Sequence, residues 1–236
     1  MKNYRDLKLT LRYHNTLNPK FWVGEAIKPE VREALLKIAD EWARFANIPL
    51  HAIQDVILVG GNANYNYTKY SDLDLHLLVR KEEIANCPEL IDDYLQDKKQ
   101  LWALTHDIQI YGHDVELYAQ DLSASTPSGQ GVFSLQSSLW LIRPVYQEVN
   151  LSDPAITSKV KQYMDKIDFL IDNRADDRDA FEKLKEKIRD MRASSIQRGG
   201  EFAVENLVFK ELRNRGYLDK LSQHLRNLKI TSLSLN

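Results

Sequence analysis

The chain has one cysteine, Cys87, in 236 residues. It cannot form an internal disulfide, so a cross-linked secreted scaffold is excluded and a reducing compartment is favoured. With one Cys and six scattered His, zinc-ligand spacing is absent. No apolar run approaches the ~20 residues that span a bilayer, and residues 1–15 (MKNYRDLKLTLRYHN) lack the apolar core of a signal peptide. No membrane partner is expected, and the expected location is cytoplasmic. There is no internal repeat and no long low-complexity tract. Charge of one sign is missing too: the net charge is -2, which at first argues against a nucleic-acid partner.

Hydrophobic patterning is present in quantity, and it divides the chain. Residues 1–27 read as an extended arm. Val31, Leu35, Ile38, Trp42 and Phe45 follow Pro29 at helical offsets and predict an amphipathic helix over 29–46. Val56–Val59 is a short apolar run stopped by Gly60-Gly61, which predicts a buried strand meeting a tight turn. Residues 62–71 (NANYNYTKYS) read as a loop or short helix, and 72–79 as a strand that begins with alternating acids. A helix over 81–103 follows. Then comes a hairpin, with 107–110 and 115–118 flanking Tyr111-Gly112-His113-Asp114. Residues 123–131 form a small-residue loop, and 131–144 close this half. From Pro154 four helical stripes follow, broken at Gly199-Gly200 and Gly216. The sequence thus predicts an α/β (α+β) domain over 1–150, arm included, and a helical subdomain over 151–236. Cys87 has no base nearby in sequence and reads as structural.

Asp72 and Asp74 sit two apart in the predicted strand and project from one face, about 6.6 Å apart along the backbone. Such a pair is repulsive unless a cation lies between, and hard Mg²⁺ or Mn²⁺ with oxygen ligands is the natural occupant. Glu116, on the neighbouring hairpin, has the position for a third carboxylate, and three carboxylates from two strands suit a two-metal site. Alternation alone would put these acids on a solvated strand face; the glycine turn at its short distance and the Ser71-Asp72 start favour the metal. Gly60-Gly61 leaves room for backbone N–H groups to approach a phosphate. Asn62, Asn64, Lys69 and Ser71 are further candidates for the nucleotide site. Tyr65, Tyr67 and Tyr70 suit either base stacking or packing of the loop. His76 shares the parity of the two aspartates, but packing is its plainer role.

A strand ending in Gly-Gly, a ten-residue spacer, Ser71-Asp72-Leu73-Asp74-Leu75, and a later strand with a third acid resemble the nucleotidyltransferase superfamily with its polymerase-beta-like palm. The string GGNANYNYTKYSDLDLHLLV, with HDVELYAQD downstream and HNTLNPKFW upstream, is similar to small stand-alone bacteriophage nucleotidyltransferases. The resemblance implies a mixed-sheet palm and transfer of a nucleoside monophosphate from a nucleoside triphosphate to an acceptor hydroxyl, in the host cytoplasm if the protein is phage-encoded. It further implies Asp72, Asp74 and Glu116 as Mg²⁺ or Mn²⁺ ligands, Glu116 as the candidate base, and Gly60-Gly61 under the triphosphate. The family usually has Gly-Ser at the turn, its serine contacting phosphate; Gly61 replaces that serine, leaving Asn62 or Asn64 as the substitute donors.

Residues 183–229 carry twelve Lys/Arg against six acids, so the remainder holds a balance of -8. Arg189, Arg192, Arg198, Lys210, Arg213 and Arg215 suit a groove for a nucleotide or RNA strand, or equally a solvated helical surface. Two competing functions are a degenerate palm that binds RNA, a nucleotide or a protein without turnover, and, ranked lower, a DxD glycosyltransferase.

Overall fold

The computed structural model describes residues 7–84, 88–124 and 130–234. Cys87 and most of the small-residue loop lie outside the described residues. The chain is an α+β protein with a mixed sheet and, among the described residues, six α-helices. It divides into two compact units, residues 12–147 and residues 148–236 together with 1–11.

The first unit opens with a small antiparallel pair, β1 (Trp22–Val23) and β2 (Ala26–Ile27). Helix α1 (Pro29–Phe45) starts at a proline, whose missing N–H costs nothing in the first turn. It buries Val31, Leu35, Ala39, Trp42 and Ala43 along one stripe. Strand β3 (Ile53–Val59) pairs antiparallel with β4 (Leu73–Val79), and β4 pairs parallel with β6 (His113–Asp121). Short strands β5 (Gln109–Ile110), β7 (Val132–Ser134) and β8 (Leu139–Ile142) complete a six-stranded sheet in the order β5-β6-β4-β3-β7-β8. Leu73, Leu75, Leu77 and Val79 alternate into a core shared with α1 and with Ile91, Leu95 and Trp102 of α2 (Pro88–Thr105). Ile57, Val59 and Val132 form a smaller cluster with Leu78.

Two local expectations change. The single helix expected over 81–103 is a short 3₁₀ turn, Lys81–Glu83, followed by α2 from Pro88. Proline has no N–H and disfavours helix in the residue before it, so it can begin α2 but not continue an earlier helix. The hairpin turn is also tighter than the four residues expected. Tyr111 and Gly112, with φ of 50° and 76°, make the whole turn, and Asp114 lies inside β6 opposite Gln109. Positive φ at both central residues is the geometry of a two-residue type I′ hairpin.

The second unit holds α3 (Pro154–Asn173), α4 (Arg178–Gly199), α5 (Val204–Asn214) and α6 (Tyr217–Leu233). Asp153 and Asp177 cap α3 and α4 by accepting from the N–H of Ala155 and Ala180. The arm expected with the sheet half belongs here at its start. The carboxylate of Glu211, fully buried in α5, accepts from the N–H of Thr10 (2.9 Å), its Oγ1 (2.8 Å) and the N–H of Leu11 (3.3 Å). Arg215 Nε, 2.6 Å away, neutralises the buried charge. Among the described residues no helix is long and apolar enough to cross a membrane.

Candidate active site

Alternation along β4 buries Leu73, Leu75 and Leu77 and leaves Asp74 and His76 half-buried on the opposite face. Asp72 precedes the strand by one residue and continues the same alternation of burial. The parallel register sets Asp74 directly beside Glu116 and His76 beside Tyr118, neighbouring strands lying about 4.8 Å apart. Two of the three expected carboxylates are thus backbone neighbours. Glu116 is engaged by Lys99 of α2, whose Nζ is 2.6 Å from Oε1. Among the described residues no group of three or more His, Cys, Asp or Glu is gathered closely enough to hold a metal ion. The chemistry of the donor set, hard oxygen anions on adjacent strands, nevertheless fits Mg²⁺ or Mn²⁺.

The glycine turn lies against Asp74. Gly60 adopts φ 75°, ψ -162°, a region that residues with a Cβ avoid, and a Cβ there would collide with the Asp74 carboxylate. After it the chain makes one 3₁₀ turn, Gly61–Ala63. A Cβ on Gly61 would come 3.0 Å from Ser71 Oγ, so a side chain at this position is crowded by the hydroxyl of Ser71. That hydroxyl itself accepts from the N–H of Thr68 at 2.9 Å.

The asparagines expected to replace the serine are spent within the protein. Asn62 is fully buried and donates through Nδ2 to the carbonyls of Ser71 (3.0 Å) and Asp72 (2.9 Å), while its Oδ1 accepts from Asn18. Asn64 donates to the Gly60 carbonyl (3.1 Å) and accepts from the N–H of Gly131 (3.1 Å). Both tie the turn to its neighbours instead of offering donors to a phosphate. Asn62 in particular joins the glycine turn to the start of the aspartate strand, and His113 Nδ1 donates to the same Ser71 carbonyl at 2.7 Å. Lys69 is exposed, with its ammonium over the Tyr70 ring. Tyr67 stacks on His14 at 3.9 Å, and burial raises its hydroxyl pKa, offset in part by a hydrogen bond with Thr16. Tyr65 packs edge-on against Tyr146. Of the three tyrosines, Tyr70 is the most exposed.

His76 donates through Nδ1 to Gln120 Oε1 at 2.8 Å. Burial lowers its pKa and the nearby Lys99 adds to this, while the Gln120 bond and Glu116 oppose it. Lys99 and Gln120 were not legible as site residues, since each occurs in an ordinary polar position of its element and only the fold brings them to Glu116 and His76.

In the helical unit the six basic residues do not share one groove. Arg198 lines a cleft of about 570 Å³ in which Lys159, Lys183 and Lys187 alternate with Glu186, Asp190 and Glu205, whereas Arg189 lines another. Arg192 lies over the Phe209 ring, and Arg215 is committed to Glu211 and the Lys8 carbonyl.

Comparison with protein-family models, curated proteins and solved structures gives no match to this chain.

Proposed function

We propose that this protein is a Mg²⁺- or Mn²⁺-dependent nucleotidyltransferase with a polymerase-beta-like palm. It would move a nucleoside monophosphate from a nucleoside triphosphate to an acceptor hydroxyl and release pyrophosphate. One observation carries the reading: Asp74 is held between Gly60, which has no side chain to displace it, and Glu116, its register partner on the parallel strand. Asp72 and Asp74 would hold the divalent ion, and Glu116 would orient or deprotonate the acceptor. When bound, the ion supplies charge neutralisation at the transferred phosphoryl group. RNA is one acceptor class within this reading; the cleft of the helical unit sets Lys159, Lys183, Lys187 and Arg198 among Glu186, Asp190 and Glu205, with Lys159 paired to Glu205. The direct antiparallel pairing of β3 and β4, without a βαβ unit ahead of the Asp-Leu-Asp segment, does not support a nucleotide-sugar site.

The test is incubation with each labelled triphosphate, Mg²⁺ or Mn²⁺, and total cellular RNA and protein. Label should enter one fraction with release of pyrophosphate. Asp72→Asn and Asp74→Asn should each reduce transfer at least about 100-fold without changing the melting temperature. Undiminished transfer in both variants would overturn the assignment.

The engaged side chains of Asn62 and Asn64, with glycine at 61, favour a second reading: a palm that binds RNA or a nucleotide without turnover. Tight RNA binding with no pyrophosphate release from any triphosphate would establish it.

A further inference from the structure

The ion pair between Lys99 and Glu116 stands at the proposed site, not in the core. Lys99 Nζ lies 2.6 Å from Glu116 Oε1, with the two side chains 24% and 47% exposed. The ammonium lies 5.3 Å from the centre of the Tyr118 ring, and that ring meets His76 edge-on at 5.2 Å. Glu116 is the register partner of Asp74 and Tyr118 that of His76, so the pair sits on the face of β4 and β6 that carries Asp74. An ion pair this accessible contributes little to folding. Its effect falls on the carboxylate it holds.

We propose that Lys99 is a positioning residue: it is the resident counter-cation of Glu116, which a divalent ion must displace, and it thereby sets the metal affinity of the site. The inference rests on the metal-dependent reading above. The physical reason is competition for one carboxylate. While the ammonium holds Oε1, that oxygen of Glu116 is engaged by Lys99 of α2. A divalent ion that recruits Glu116 must break this pair and approach a fixed positive charge. Removing the charge eliminates both costs. Methionine at position 99 would keep an apolar stem over Tyr118 without the ammonium.

The experiment is a Mn²⁺ titration of the full chain, following the free-ion electron paramagnetic resonance signal, with melting temperatures recorded in parallel. Wild type, Lys99→Met, Lys99→Gln, Lys99→Arg and Asp74→Asn are compared. The two neutral variants should bind Mn²⁺ about three- to tenfold more tightly than wild type. Lys99→Arg should match wild type, and Asp74→Asn should bind markedly more weakly. Neutral variants that bind no more tightly than wild type overturn the role of Lys99 alone. Binding that Asp74→Asn leaves unchanged overturns the metal reading itself, and with it this inference.

Discussion

A Cβ on Gly60 would lie 1.6 Å from Oδ2 of Asp74 and 2.6 Å from its Cγ. The turn and the carboxylate are therefore seated against each other with no room for any side chain. Gly60→Ala should fail on two counts, the left-handed backbone and the collision. Each forces the turn away from Asp74. The expected outcome is a lower melting temperature, by at least about 1–2 kcal/mol of stability, together with loss of nucleotidyl transfer. Gly112→Ala also replaces a positive-φ glycine, but with open space around the new methyl. It should cost stability while leaving transfer intact. Calorimetry and the transfer assay, run on both variants, separate the site effect from backbone strain.

Asn62 connects the glycine turn to the aspartate strand through the carbonyls of Ser71 and Asp72. Asn62→Ala removes both donors from a fully buried site and strands the amide of Asn18. The expected loss is about 2–4 kcal/mol, read from the denaturant midpoint. Transfer should fall as well, because the backbone of Asp72 loses its tether. Full activity with unchanged stability would show that the tether has no role.

In the helical unit the hydrogen bond from Lys159 is the main cause that lowers the pKa of Glu205, helped by its own backbone and by Arg198 and opposed by burial. A carboxylate with a depressed folded pKa stabilises the fold above the ordinary 4.5 of a glutamate. That contribution is lost as pH falls through the lowered value. Glu205→Gln should therefore be slightly less stable than wild type at neutral pH and should lose less stability on acidification. Chemical denaturation at neutral pH and below about pH 4 measures both differences. Equal pH dependence in the two proteins would remove Glu205 from the acid transition.

The elements that could be read in the sequence are those whose own residues enforce them. The apolar stripe of α1 and the alternation of β4 each bury one face in only one conformation, so periodicity is enough. The break at Gly199-Gly200 was visible for the same local reason, and Gly200 has φ 68°. Pro88 was present in the sequence, yet the apolar spacing ran past it and joined a 3₁₀ turn to a helix that the proline separates. The arm was misplaced because nothing near Thr10 indicates that its N–H and hydroxyl bind Glu211, two hundred positions away.

By itself, then, the sequence determined which residues of α1 and β4 face the core, where the chain breaks at Gly60-Gly61 and Gly199-Gly200, and which acids share a strand face, because spacing and backbone preference are local. Only the tertiary structure decided that β4 and β6 run parallel in a register pairing Asp74 with Glu116, that Asn62 is buried as a tether, and that Lys99 holds the third carboxylate. Those outcomes depend on how separate elements pack, and packing joins residues that no short-range pattern relates.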